Sequence, residues 1–194
     1  MVSVDQLKQL REETGVSITE CQKALKEANG DIKKAKEILR KWGKNLAGKK
    51  SEREVKQGII ESYIHPNKKI GVILDLRCET DFVARSEDFK NLAHELVLHI
   101  AGMNPFYIKP EDIPEEVIAG EKEIYREQFS KIGKPEKLID QIIEGKLKSY
   151  KAVISLLTQA FVKNPDKTVG DLIQEYVAKL GENIVVKRFV RYEI

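Results

Sequence analysis

The run Ile70 to Cys78 most narrows what this chain can fold into. Ile70, Val72, Leu74 and Leu76 alternate with Gly71, Ile73, Asp75 and Arg77, and an apolar period of two predicts a strand with one face firmly buried. A second β-favouring run, Ile59 to His65, precedes it across Pro66-Asn67-Lys68-Lys69, so the pair reads as a hairpin. Asn183 to Glu193 is a further alternating run. Strict alternation places Ile184, Val186, Val190, Tyr192 and Ile194 on one of its faces and Val185 and Phe189 on the other, which is more apolar than a solvent-facing edge should be.

The rest of the chain is dominated by helical spacing. Val4, Leu7 and Leu10 share a face behind a Ser3/Gln6 capping box, and Thr14-Gly15 ends that helix. Ser17 with Glu20 opens a second helix bearing Ile18, Cys21, Ala24, Leu25 and Ala28, closed by Asn29-Gly30. Asp31 opens a third, with Ile32, Ala35, Ile38, Leu39 and Trp42 on its face. Residues 1–43 therefore read as a three-helix bundle, small enough to need something larger to lean on. Residues 44–57 lose the pattern: Lys44, Lys49, Lys50, Arg53 and Lys56 are interrupted by Glu52 and Glu54, as in a solvated basic linker with room for some helix.

Residues 58–194 read as an α+β core, its antiparallel sheet assembled from the hairpin and the last strand. A helix capped by Ser86 carries Phe89, Leu92, Leu96 and Ile100 and stops by Gly102. Helices are predicted around 114–129 and 135–149, a strand or irregular piece over 153–162, and a helix from Val169 to Leu180 capped by Thr168 with Asp171 and closed by Gly181.

Composition removes several function classes. Lys plus Arg number 34 against 31 Asp plus Glu, a net charge of +3, too balanced for a general nucleic-acid or membrane binder. Cys21 and Cys78 form no C-x-x-C, so neither a disulfide framework nor a zinc ribbon is predicted and a reducing cytoplasm is the expected compartment. The start of the chain lacks the pattern of a secretion signal, and no window approaches the roughly 20 apolar residues of a membrane span. The Gly-Lys pairs at Gly43 and Gly133 lack the upstream glycine and following hydroxyl of a phosphate loop, so direct nucleotide binding is not expected. His94 and His99 are five residues apart, which rotates them about 140° from each other and off a shared metal-binding face; solvated or locally paired histidines are expected. Cys21 reads as a small buried hydrophobe and Trp42 as an anchor of the bundle. No nucleophile, base and acid stand together, so no catalysis, metal or cofactor is predicted.

Thr80-Asp81-Phe82-Val83 fits no purely structural role easily. It lies after a buried strand and before a helix, and burying the phenyl ring would drag the neighbouring carboxylate toward the interior. On physics alone, either the corner contacts a partner, or Phe82 folds back as a cap while Asp81 caps the helix.

Three motifs resemble one family. Leu10-Arg11-Glu12-Glu13-Thr14-Gly15 with Cys21-Gln22-Lys23-Ala24-Leu25 and Ala28-Asn29-Gly30-Asp31 is similar to the N-terminal domain of translation elongation factor Ts proteins. Cys78-Glu79-Thr80-Asp81-Phe82-Val83-Ala84-Arg85 resembles the family's core motif, and Gly181-Glu182-Asn183-Ile184-Val185-Val186-Lys187-Arg188-Phe189 with Arg191-Tyr192-Glu193 its last strand. The resemblance implies a guanine nucleotide exchange factor for elongation factor Tu, without catalytic chemistry of its own, built from a ubiquitin-associated-like helical domain and an α+β core. It implies that Phe82 inserts between helices of the partner's nucleotide domain, that Asp81 disturbs the magnesium region, and that Thr80 and Val83 fix the corner. It also implies an N-terminal contact surface. The family commonly has Thr-Gly-Ala-Gly and two apolar residues there, whereas this chain has Thr14-Gly15-Val16-Ser17-Ile18-Thr19, which leaves Leu10, Val16 and Ile18 as the expected contacts. With one core module where longer relatives carry two, a homodimer is expected. The competing readings are an adaptor for ubiquitin-like modifiers built on the helical domain and an RNA-binding module using the basic linker.

Overall fold

The computed structural model describes residues 2–130 and 135–194; Gly133 lies outside the described residues. In chain order the elements are α1 (Val4–Thr14), α2 (Ile18–Glu27), α3 (Ile32–Lys50), β1 (Gln57–Ile64), β2 (Ile70–Cys78), α4 (Asp81–Arg85), α5 (Glu87–Met103), α6 (Glu115–Ser130), α7 (Glu136–Ile154), β3 (Ala160–Phe161), β4 (Asn164–Thr168), α8 (Val169–Leu180) and β5 (Ile184–Glu193). They form two compact units, Met1–Leu98 with Asp171–Ile194, and His99–Gly170. The class is the α+β fold that the sequence predicts.

In the first unit, local chemistry sets the ends of α1 to α3. Ser3 and Gln6 close a reciprocal capping box, Ser17 accepts the Glu20 amide, and Asp31 accepts the Lys34 amide. Gly15 turns the chain at φ +66 and Asn29-Gly30 turn it again at φ +52 and +85, left-handed conformations that glycine and asparagine adopt at least cost. Leu10, Cys21, Ala24, Leu25 and Ala35 are fully buried between the three helices, with Trp42 packed against them.

The third helix does not stop at 43. It continues to Lys50, so about half of the stretch read as a linker is helix, and tertiary contact explains why. Gly43 lies against α8, where an added Cβ would come within 3.3 Å of the Ala178 Cβ. Arg40 reaches Asp171 at 3.0 Å, and the Lys50 ammonium donates to the Gly181 carbonyl. The bundle leans on α8 through this helix.

Strands β1, β2 and β5 form one antiparallel sheet in the order β1-β2-β5. Val72, Leu74, Leu76 and Cys78 on β2 are buried, as are Phe89, Leu92, Ala93, Leu96 and Val97 on α5. The last strand corrects the predicted face. Asp75 pairs with Arg188 but Leu76 with Val186, leaving Lys187 as an extra residue in a bulge. A bulge reverses the alternation beyond it. Ile184 and Val186 are therefore core, whereas Val190, opposite Ile73, and Tyr192, opposite Gly71, stand on the outer face and Phe189, opposite Leu74, turns inward.

The second unit contains α6 and α7, which pack on each other. The latter runs to Ile154 and is followed by a 3-10 turn at Leu156–Thr158 and the β3–β4 hairpin; β4, which contains Pro165, was not predicted. His94 is exposed and His99 fully buried. The His99 Nδ1 accepts the Val162 amide at 3.2 Å, so the proton sits on Nε2, 2.9 Å from Gln159 Oε1. Gln159 in turn donates to the Met103 and Val153 carbonyls. Burial holds His99 below its ordinary imidazole range, the Gln159 bond opposing only in part. No helix among the described residues is long and apolar enough to cross a membrane.

Candidate functional site

The corner after β2 is built in hydrogen bonds. Cys78 ends the strand buried, and its thiol donates to the Thr80 carbonyl at 3.2 Å. Burial, helped by the nearby Glu182 carboxylate, pushes that thiol up to about 11, so the donor keeps its proton at neutral pH. Thr80 has extended backbone, and its hydroxyl accepts the Val83 amide at 3.3 Å, opening the five-residue helix α4. The Ser86 hydroxyl closes that helix by donating to the Val83 carbonyl at 2.8 Å and opens α5 by accepting the Phe89 amide at 3.2 Å.

Val83 and Ala84 are buried under the turn, and Phe82 points away from it, 82% exposed. Asp81 is exposed beside it and meets Arg85 at 3.0 Å in an i,i+4 pair; such a pair in water contributes only ~0.5 kcal/mol, so the carboxylate stays open to competition. Between the two physical alternatives, Thr80 and not Asp81 is the cap, and Phe82 does not fold back.

A second layer, which the motif reading had no means to assign, holds the corner from behind. Glu182 Oε2 accepts the backbone amides of Thr80 (2.9 Å) and Glu79 (3.1 Å), and its Oε1 accepts the Thr80 hydroxyl at 2.6 Å. Glu79 returns the bond by accepting the Asn183 amide at 2.7 Å. The buried Asn183 side chain donates to the Arg53 and Ser51 carbonyls, at 2.9 and 3.4 Å. Arg53 lies 3.5 Å from Glu79. Glu182 and Asn183 stand inside the Gly181-to-Phe189 motif, yet nothing in their spacing announces a partner at residues 79 and 80.

The expected N-terminal contacts are corrected by burial. Leu10 and Val16 belong to the core of the bundle, where a body of three short helices has few other side chains to fill it; Leu10 presents no surface to a partner and Val16 very little. Ile18, the first residue of α2, is half exposed. Elsewhere in the same unit, Ile60, Ile64, Ile73, Val190 and Tyr192 stand exposed on the outer face of the sheet. In register, Ile73 lies between Ser62 and Val190, and Gly71 between Ile64 and Tyr192. Asp75 interrupts this face as a buried carboxylate, held below its usual range by the Arg77 guanidinium. Among the described residues no three His, Cys, Asp or Glu side chains gather as a metal site would need.

Comparison with known proteins covers the same ground. The chain is 53% identical to elongation factor Ts of Thermosipho melanesiensis over 194 residues, all of this chain and 99% of that protein. It is 52% identical to elongation factor Ts of Coprothermobacter proteolyticus over 193 residues, 98% of that protein, and 48% identical to that of Rubrobacter xylanophilus over 191 residues, 98% of each chain. A family model described as elongation factor TS matches residues 4–194, the corner and its backing strand included; the chain belongs to the elongation factor Ts family.

Proposed function

We propose that this protein is a guanine nucleotide exchange factor that binds elongation factor Tu carrying GDP, displaces its magnesium ion and promotes GDP release so that GTP can bind. The observation that supports this most directly is Phe82: a large apolar side chain left in water on a corner whose backbone is held from several sides. An exposed aromatic with a fixed base suits insertion into a partner and has no use in its own fold. A GTPase holds GDP through phosphate-loop amides, a lysine and magnesium, so wedging helices apart and bringing the Asp81 carboxylate toward the metal region removes a large share of the electrostatic hold. By linkage, a factor that prefers the empty GTPase weakens nucleotide binding by the factor that nucleotide weakens its own. The chain needs no reacting group of its own for this work, which belongs in the cytoplasm.

Two further contacts follow. Ile18 remains the apolar contact with which the N-terminal bundle docks on the GTPase. The outer sheet face joins two copies: Ile73, Val190 and Tyr192 stand exposed on it, and a two-fold axis would set this same patch of both copies against itself. The primary test is release of a fluorescent GDP analogue from elongation factor Tu with and without this protein. Acceleration at substoichiometric concentration is expected; an adaptor for ubiquitin-like modifiers or an RNA-binding module would leave the rate unchanged, and that result would refute the proposal.

A further inference from the structure

The direction in which Phe82 points is not set by packing of its own ring, because the ring is in water. It is set by the backbone that carries it. A helix of five residues has no stability by itself, so α4 is oriented by what anchors its two ends. The C-terminal end is fastened by Ser86 and by the buried Val83 and Ala84. At the N-terminal end the Cys78 thiol holds the Thr80 carbonyl, and the side chain with the most contacts is Glu182, which takes two backbone amides and the Thr80 hydroxyl at once. Charge-assisted bonds of this kind are shorter and stronger than neutral ones, and three acceptor contacts on one carboxylate define an orientation as well as a distance. The same Thr80 hydroxyl that donates to Glu182 accepts from Val83, so the carboxylate, by accepting the hydroxyl hydrogen, keeps the oxygen lone pairs directed at the helix. Asn183 and Glu79 repeat the tie in the opposite sense.

We propose that Glu182 is the positioning residue of the exchange corner: it touches no partner, and fixes the peptide planes at Glu79 and Thr80 so that Phe82 is presented in the geometry it needs before encounter. The inference rests on the exchange reading above. A preorganised group loses effectiveness steeply with small displacements, so releasing the clamp lowers the maximal rate of assisted GDP release more than it raises the concentration needed for half the effect.

The test is a double-mutant cycle with wild type, Glu182→Ala, Phe82→Ala and the double variant, read by stopped-flow release of a fluorescent GDP analogue from elongation factor Tu and by thermal unfolding. Glu182→Ala is expected to lower the maximal rate on the order of 10-fold, but to cost less than about twofold once Phe82 is already alanine, while its shift in unfolding temperature is the same in both backgrounds. Glu182→Gln, which can keep its carbonyl oxygen on the two amides, is expected to retain an intermediate rate, and it carries the same cycle if the alanine variant does not fold. Equal losses with and without Phe82, or an unchanged maximal rate for Glu182→Ala, would overturn the positioning role and leave the exchange reading standing. A Phe82→Ala protein with wild-type exchange would bring down the wedge itself, and the positioning role with it.

Discussion

Replacing Phe82 by alanine separates a side chain that serves a partner from one that serves the fold. About a fifth of the residue's surface is covered, so of the roughly 200 Å² that a phenylalanine offers, ~40 Å² leaves water on folding. At ~25 cal/mol per Å² that is about 1 kcal/mol as a ceiling, a fall of a few degrees in unfolding temperature for a chain of this length. Phe89, only a helical turn or two further along, is fully buried, and its truncation should cost about 3–5 kcal/mol. If Phe82 is the anchor of the interface, its loss should remove about 2 kcal/mol or more of association with the nucleotide-free GTPase, roughly 30-fold. The assay is release of a fluorescent GDP analogue from elongation factor Tu beside thermal unfolding of both variants. Release at the wild-type rate, or a Phe82→Ala protein as destabilised as Phe89→Ala, would refute the reasoning.

Val190→Asp places a charge on the outer sheet face opposite Ile73; sedimentation equilibrium should give twice the 22.2 kDa chain mass for wild type at micromolar concentration and the chain mass for the variant, with exchange falling together, and a monomeric wild type at full activity would remove the dimer. Ile18→Asp should weaken association measured by calorimetry while lowering the unfolding temperature by several degrees only, since that side chain is half exposed, whereas an undiminished affinity would make the bundle a passenger. His99 is buried neutral, with its folded value held below the ordinary 6.5: the unfolded chain binds the extra proton first, so its share of stability is complete above 6.5 and is lost as pH falls below it. Denaturant midpoints at pH 7.5 and 5.5 should therefore differ more for wild type than for His99→Gln, and equal differences would exclude His99 as the source.

What the sequence discloses here is what neighbours decide. The hairpin, the caps at Ser3, Ser17 and Asp31, and the left-handed turn at Asn29-Gly30 are written in a few consecutive residues each. Gly43 and the lysines after it look like the end of a helix, but the requirement for a small residue comes from Ala178 on a distant element, and contact with α8 overrides propensity. The bulge at Lys187 leaves no mark on the alternating pattern, since an inserted residue changes phase without changing composition; half of a face was misassigned for that reason. At the corner, Thr80 to Val83 stood out because a carboxylate beside an apolar ring makes poor core. Glu182 did not, because a surface glutamate at the start of a strand is ordinary until its partners are seen. Leu10 and Val16 share a stretch with the exposed Ile18, and only burial separates what the bundle uses internally from what it can show.

The pairing of β2 with β5 dictates when the protein becomes competent during its own synthesis. The central strand of the sheet is complete at residue 78, but the strand on its second side begins at residue 184. At usual elongation speeds the nascent chain needs about 5 to 20 seconds to cross that gap of roughly 100 residues. Throughout that interval β2 has β1 on one side and an unpaired edge on the other, the kind of edge that recruits other chains. Phe82 is already made, yet the carboxylate that steadies its backbone is not. A product released early by interrupted translation would thus display the aromatic side chain on an untied turn, next to an open strand, and is a substrate for chaperones or proteases and no competitor for the finished factor.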